Sequence, residues 1–332
     1  MSSISDLEHG QQFDGFFLLR ECEEKMTRQG KPYLDMVLED RTGILPGKVW
    51  EIPHQVQGVI EGGDFVKVRA LAENYRGTIQ LKIEKIRRTT DSDGEEGFRE
   101  EDCIARTSFD TEEMWKEIFQ IAQSCHSIVA ELLVSILEKY ADQFQAWPAA
   151  QRIHHPYMGG LLEHTLSVTK TCLYLVEKYD VSRDLLVAGA LLHDIGKIHE
   201  LSGVGGTRYT SAGRLVGHIV LGRDILRNHA QRVENLPDEY VLHLEHLILS
   251  HQGQLDWGTV KVPMTPEAVL LHHADDMDAK FNIAKRAIEQ DKGEGEFTSR
   301  IAIVDRAFFK LRPLLPPLPT IGETPGGEEP RS

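Results

Sequence analysis

A small β-barrel followed by an all-helical domain is the architecture this 332-residue chain predicts. Three observations predict it. Residues 13–88 alternate apolar and polar side chains between short Gly-containing turns. From about residue 110 the apolar residues recur at helical spacing instead. Between the two lies TTDSDGEEGFREEDCIARTS (89–108), polar and mostly acidic, which reads as a connection rather than as part of a core.

The first strand is expected in DGFFLLRECEEKM, and GKPYLDMVLED follows it. The turn RTG leads into ILPGKVWE, and a short segment with Pro53 separates this from GGDFVKVRALAENY. The turn RG and the strand TIQLKIEKIRR complete the set. Alternation is clearest in Phe65-Val66-Lys67-Val68-Arg69 and in Ile79-Gln80-Leu81-Lys82-Ile83. Five strands with a short helical connection between the third and fourth fit a Greek-key barrel of the OB type. Another small barrel, such as an SH3-like one, fits the same pattern. Asp110 or Thr111 then caps a first helix with Glu112 and Glu113 in its opening turn. Further helices are expected at 160–179, 183–196, 213–230, 237–251, 266–290 and 298–311. The end, PLLPPLPTIGETPGGEEPRS, is rich in Pro and Gly and reads as an extended tail. The expected organisation is thus an OB-type nucleic-acid-binding domain at 10–88, an acidic linker at 89–109, a helical domain at 110–312 and a flexible tail at 313–332.

Composition sets limits on function. Hydrophobic residues make up 41% and charged residues 27%, as in a soluble globular protein. The longest apolar run, Leu185–Leu192, is far too short to cross a bilayer. The N-terminus has neither the basic nor the apolar stretch of a signal peptide, so a cytoplasmic location and no membrane partner are expected. Cys22, Cys103, Cys125 and Cys172 are scattered, without a C-x-x-C pair, and suggest neither disulfides nor a zinc site. The net charge of −15 argues against a broad basic surface for a polyanion. Nucleic acid would have to be held by local basic patches, stacking and bound cations. The 15 histidines concentrate in 154–273, the first hint of a metal site.

Those histidines occupy apolar faces. Leu161, His164, Val168 and Leu175 fall on or near one side of their helix, with Glu163 elsewhere. His193 and Asp194 close a helix that is apolar all round, and such a helix is central. Leu244, Leu247, Ile248 and His251 share a face, as do Leu271, Asp275 and Asp278. His218 lies beside Leu215, Ile219 and Ile225. One such histidine is ordinarily a hydrogen-bonded core residue. Four histidines with two aspartates in one core would strand carboxylates in low dielectric. Divalent cations remove that cost, and His/Asp ligation suits Mn, Fe, Co, Ni or Zn better than Ca. Neighbouring His193 and Asp194 point about 100° apart on a helix, so both reach one centre only at the helix end, where Gly196 loosens the turn.

The pattern His164, His193-Asp194, Asp275 resembles the HD metal-dependent phosphohydrolases, and His218 and His251 resemble the extra ligands of their two-metal subset. The stretches HHPYMGGLLEHTLSV, LLHDIGKIHE, GRLVGHIVLG, LSHQG and LHHADDMDAK, behind an OB-like domain, further resemble the YhaM-type 3′→5′ exoribonucleases over most of residues 10–312. The resemblance implies a C-terminal HD domain in which His164, His193, Asp194 and Asp275 hold one metal. Asp194 would bridge to a second metal held by His218 and His251. It favours Asp275 over Asp278, which the helical pattern leaves equivalent. The two cations, manganese first, with cobalt, iron or nickel as alternatives, would activate water for in-line attack on phosphorus. Asp194 and Lys197 are the catalytic candidates. Lys197 either neutralises the transition state and protonates the leaving oxygen or is a solvated helix-end lysine.

Substrate contacts are less determined. His155 and Tyr157, in HHPYMGG, either contact a nucleotide or pack a tight turn, and the Gly pair offers free N–H groups to phosphate. Arg214 and Lys280 are candidate phosphate contacts. On the barrel, Tyr33, Trp50 and Tyr75, near Lys31, Lys48, Arg76 and Lys82, either stack bases of a single strand or are core and edge aromatics. His154, His243, His246, His272 and His273 read as surface or structural. The leading function is a metal-dependent 3′→5′ exonuclease that degrades single-stranded RNA, with single-stranded DNA as a further candidate substrate, to nucleoside monophosphates. The alternatives are a phosphohydrolase of small nucleotides and a non-catalytic OB-type nucleic-acid-binding protein. The cyclic-dinucleotide branch is disfavoured because SHQGQLDWG lacks a Gly-Tyr-Pro signature. Homo-oligomerisation stays open.

Overall fold

The alternating region forms five strands: β1 Gln12–Met26, β2 Pro32–Asp40, β3 Gly43–Val49, β4 Phe65–Tyr75 and β5 Thr78–Arg88. The computed structural model describes residues 3–310 except 54–58, 76–77, 151–154, 204–207, 292 and 294. The strands close a barrel in the order β1-β2-β3-β5-β4, with β3 and β5 parallel and the other pairs antiparallel. β1 serves two neighbours. Gln12–Leu18 pair with β4 and Leu18–Met26 with β2, and a register shift between Leu19 and Glu21 turns the strand between them. Such an irregularity bends a strand enough to close a small barrel. The result is the OB-type barrel expected. Its interior is filled by Phe17, Leu19, Met36, Leu38, Val66, Val68 and Leu81. The helical connection expected between the third and fourth strands falls largely on 54–58, and Arg76, His154 and the 313–332 tail likewise lie outside the described residues.

Residues 89–109 connect barrel and helices, but not as a loose spacer. Phe98, Cys103 and Ile104 cover Phe16, Leu18 and Phe65 on the outside of the barrel. This explains why Phe16, Phe17, Leu18 and Leu19 are all buried where a one-sided strand would alternate. Asp93 is fully buried and accepts from both terminal nitrogens of Arg87 at 2.6 Å. Composition misses this because a few apolar residues, the Arg87–Asp93 pair and further links such as Lys67 to Glu96 and Ala105 N–H to Glu39 dock an otherwise acidic segment.

The helices are α1 Thr111–Gln123, α2 Ser127–Lys139, α3 Ala141–Ala146, α4 Gly160–Lys178, α5 Arg183–Leu192, α6 Lys197–Glu200, α7 Ser211–Leu215, α8 His218–Ala230, α9 Asp238–Ser250 and α10 Pro266–Gln290. Asp110 is the cap of α1, accepting from the N–H groups of Glu112 and Glu113. All of Leu185–Leu192 in α5 is buried, and α5 packs against α1, α2, α4, α9 and α10. It is the central helix its sequence predicts. Burial pushes the thiols of Cys103 and Cys172 up to about 12 and of Cys125 to about 11, so these cysteines act as small core residues. No helix among the described residues is long and apolar enough to cross a membrane.

Three helix expectations need correction. The helix expected at 183–196 ends at Leu192 and resumes as the short α6. That expected at 213–230 breaks at Gly217, whose φ of 82° and ψ of 155° suit only glycine. Residues 298–311 are not helical. Isolated bridges Phe297↔Phe309 and Ile301↔Arg306 enclose a 3₁₀ turn at Ala302–Val304, and Asp305 at φ 52° turns the chain back. The β-branched Thr298, Ile301, Ile303 and Val304 weaken any helix here, and the Lys310–Asp291 ion pair at 2.8 Å ties this strap to the end of α10.

Candidate metal centre and active site

Four helices and one turn deliver the predicted side chains to one buried point. His164 comes from α4, His193 and Asp194 from the turn after α5, His218 from the start of α8, His251 from the end of α9, and Asp275 from α10. His164 Nε2 lies 3.2 Å from Asp275 Oδ1, 3.4 Å from Asp194 Oδ2 and 3.2 Å from His193 Nε2. On the other side, Asp194 Oδ1 lies 3.6 Å from His218 Nε2 and 3.7 Å from His251 Nε2. His164, His193 and Asp275 form one cluster of metal-ligating geometry, and Asp194, His218 and His251 form a second. Each carboxylate oxygen of Asp194 therefore faces its own cluster.

Every imidazole is oriented by its other nitrogen. His193 Nδ1–H donates to the Ala190 carbonyl and His251 Nδ1–H to the Ile248 carbonyl, both at 2.8 Å. His218 Nδ1–H donates to Glu200 Oε1 at 2.9 Å, and His164 Nδ1–H to Asp278 Oδ2 at 2.7 Å. These bonds orient the rings so that all four Nε2 atoms point inward. The carbonyl partners of His193 and His251 are the residues three before them, so the helix ends do the orienting.

The arrangement is unbalanced without cations. Asp194 is 2% exposed and its Oδ1 has no hydrogen-bond partner, while two inward-facing imidazole nitrogens stand 3.2 Å apart. A buried unpaired carboxylate oxygen is expensive, and divalent cation binding by these residues would offset both features. The mixed imidazole and carboxylate donors fit first-row transition metals. Burial opposes charge on His164, but Asp194, Asp275 and Asp278 outweigh it and hold the imidazole well above its usual range. Burial, then His193, pushes His251 down to about 4, which keeps its lone pair available. Burial works against ionised Asp194, yet Lys197 and His193 hold its carboxyl well below the usual range.

The remaining candidates divide. Lys197 is 7% exposed and its Nζ donates to Asp194 Oδ2 at 2.5 Å, so it is not a solvated helix-end lysine. His155 is buried, with Nε2 3.0 Å from Asp278 and Nδ1 2.9 Å from the Tyr157 hydroxyl. Tyr157 O–H in turn donates to Glu163 at 3.0 Å. His155 and Tyr157 therefore brace His164 and Asp278 through these bonds, and His155 also lines a cavity with Ser167, Lys170 and Lys285. The N–H groups of Gly159 and Gly160 are taken by the carbonyls of Ala146 and Tyr157, which removes the expected phosphate cradle. Arg20 of β1 donates to the Pro156 carbonyl at 3.0 Å, so the barrel bears directly on this brace.

A cavity of about 370 Å³ opens onto Asp194, Lys197, His251 and Asp275. Lys280 lines it, while Arg214, exposed on α7, is not among its lining residues. Tyr33 and Trp50 stack on each other with centroids 4.9 Å apart, beneath Lys48 Nζ at 5.1 and 5.7 Å. Trp50 stays 42% exposed and presents a free aromatic surface beside a cation. Tyr75 is exposed at the end of β4.

Sequence reasoning missed Glu200 and the bracing role of Asp278. Glu200 was visible as the last letter of LLHDIGKIHE, but only the fold shows it beneath His218. It also misread Gly196, whose φ of −64° and ψ of −15° are ordinary. A Cβ there would lie 2.0 Å from the His218 carbonyl oxygen and 2.6 Å from Gly222 N, so glycine lets α6 touch α8. Gly196→Ala is expected to cost about 1–3 kcal/mol through overpacking and to displace His218. Thermal melting and metal content of the purified variant check this, and wild-type values for both would refute it.

A family model described as HD domain matches residues 161–280, and one described as a putative helicase matches 109–200. The 3′-5′ exoribonuclease YhaM of Geobacillus sp. (strain WCH70) is 36% identical over 310 residues, covering 92% of this chain and 94% of the relative. YhaM of Bacillus subtilis (strain 168) is 35% identical over 306 residues, 91% of this chain and 96% of the relative. That of Shouchella clausii (strain KSM-K16) is 35% identical over 304 residues, 91% and 94% respectively. Among solved structures, the second OB-fold domain of replication protein A from Methanococcus maripaludis aligns with 27% of this chain and 95% of its own, at 16% identity and a TM-score of 0.23.

Proposed function

The chain belongs to the YhaM family of 3′-5′ exoribonucleases, and from that premise we propose that it removes nucleoside monophosphates from the 3′ end of single-stranded RNA at the Asp194 centre. The enzyme is a metal-dependent 3′-5′ exonuclease with an HD domain. The observation that carries the mechanistic reading is the orientation of Asp194, whose two oxygens face two separate ligand clusters. His164, His193, Asp194 and Asp275 would hold one cation, and Asp194, His218 and His251 the other. Manganese is the first candidate for this donor set, followed by cobalt, iron and nickel. Bound divalent cations supply Lewis acidity, a water nucleophile at neutral pH and neutralisation of phosphate charge.

The chain's own groups do the rest. Asp278, Glu200 and the Ala190 and Ile248 carbonyls keep the imidazoles in register before substrate arrives. Lys197 Nζ, on Asp194 Oδ2, stands where it donates to a phosphate oxygen or to the leaving oxygen once a diester enters the cavity. The barrel supplies sequence-tolerant grip. Trp50, stacked on Tyr33 under Lys48, offers a face to a base of the incoming strand. The curated relatives align across the barrel as well as the helices, which favours a polymer substrate over a free nucleotide.

The test is a 5′-labelled single-stranded RNA with Mn²⁺, run beside single-stranded DNA and free nucleotides. Progressive shortening from the 3′ end with release of monophosphates is expected. Hydrolysis of free nucleotides without shortening of RNA would overturn the reading. Trp50→Ala is expected to raise KM for long RNA several-fold, the scale of one lost base stack, with little change in its salt dependence, because no phosphate contact is lost; an unchanged KM would remove the barrel platform from substrate binding.

A further inference from the structure

The metal cavity has an apolar half that the chemistry at Asp194 does not use. Its inner lining carries Asp194, Lys197, His251 and Asp275. Its outer lining includes Trp257, from the turn between α9 and α10, and Ile303 and Val304, from the strap that follows α10. Trp257 is 47% and Ile303 57% exposed. Large apolar side chains brought together and left in water at a catalytic cavity mark a ligand surface.

Trp257 is held in place rather than loosely displayed. Its ring lies 6.1 Å from the ring of His272, and Lys280 Nζ sits 5.2 Å from its centroid. His272 is fixed in turn by an Nδ1–H bond of 2.8 Å to the His251 carbonyl. The indole is therefore tied, through His272, to the backbone of a predicted metal ligand. Lys280 is paired with Asp276 at 2.7 Å and adds a cation at the same wall. Ala279, on α10, contributes only a methyl group to the lining and leaves room beside these groups.

We propose that the Trp257 and Ile303 walls form a slot for the base of the 3′-terminal nucleotide, with the scissile phosphate beside Asp194. This rests on the exonuclease reading above and adds the subsite that selects the chain end. The volume of about 370 Å³ lies at the small end of ligand sites and suits one nucleotide rather than several. The indole and the aliphatic strap residues stack or pack on any base, because every base has an apolar π-face. The slot thus recognises that a base is present, not which base it is. It also gives the strap a function: its turn at Ala302–Val304, pinned by Lys310 to Asp291, brings Ile303 to the site.

The experiment uses the full chain with Mn²⁺ and two RNA oligomers, identical except that one ends in an abasic ribose. The wild-type enzyme is expected to prefer the base-bearing end by about tenfold or more in kcat/KM, the scale of one base stack. Trp257→Ala is expected to bring that ratio close to one, Ile303→Ala to lower it in part, and Trp257→Phe to keep most of it. A nucleoside 5′-monophosphate should also inhibit the wild type at least about tenfold more tightly than ribose 5-phosphate, which needs no variant to fold. A wild-type enzyme indifferent to the missing base, or a Trp257→Ala enzyme that keeps the full ratio, overturns the slot. If RNA is not shortened from the 3′ end at all, it is the exonuclease reading that fails. Shortening with an unaltered ratio in Trp257→Ala sinks the slot alone.

Discussion

Asp194→Asn is expected to lower hydrolysis of the RNA 3′ end by about three orders of magnitude, the several kcal/mol that metal-assisted phosphoryl chemistry supplies. Among the described residues it is the one carboxylate whose two oxygens reach both ligand clusters. The neutral amide should therefore lose metal from both, not from one. Elemental analysis of the purified variant and single-turnover assays on 5′-labelled RNA read the two effects separately. Chelation should silence the wild type equally, and added Mn²⁺ should rescue the wild type but not the variant. Far-ultraviolet circular dichroism confirms that the helices persist. A folded Asp194→Asn enzyme with wild-type activity would move the catalytic centre elsewhere.

Asp278→Asn is expected to act differently from Asp275→Asn, although the two aspartates lie three residues apart on α10. Asp278 accepts from His164 Nδ1 at 2.7 Å and stands 3.0 Å from His155 Nε2; Ser167 also donates to it. It therefore braces the imidazole from behind. Loss of such an outer partner typically costs about 10–100-fold in metal affinity or activity. Excess Mn²⁺ should recover much of the Asp278→Asn loss, because the ligands remain. Asp275 Oδ1 faces His164 Nε2, the nitrogen turned toward the proposed metal, so Asp275→Asn should resist rescue. If excess metal rescues Asp275→Asn and not Asp278→Asn, the two roles are exchanged.

The contrast between these two residues shows where sequence reading stops. Their spacing puts both carboxylates on one helical face, beside Leu271, and periodicity has no means of separating them. Only the crossing of α10 over α4 sets one carboxylate against Nε2 and the other against Nδ1 of the same ring. His155 and Tyr157 illustrate the same limit. Polar residues beside a glycine pair read naturally as ligand contacts, and only the fold shows that Asp278 and Glu163 also bond to them. The strap at 297–310 failed as a helix because its structure depends on bridges and on Lys310 reaching Asp291, contacts that no local period encodes.

Period-two alternation was enough to locate the strands of the barrel, and an apolar run with no polar face to place α5 at the centre. Helical periodicity also singled out histidines and aspartates on apolar helical faces, which must be compensated somewhere in the core, while their grouping into one ligand set came from the family resemblance. The geometry came from contacts between elements far apart in the chain. They turned each oxygen of Asp194 toward its own ligand cluster, drew Lys197 inside, seated the acidic segment 89–109 on the barrel and brought Trp257 and Ile303 to the cavity. The physical reason is one of range. Helical and strand periodicity report which face is buried over a few residues, whereas the direction of a lone pair is set by hydrogen bonds and close contacts between helices far apart in the chain.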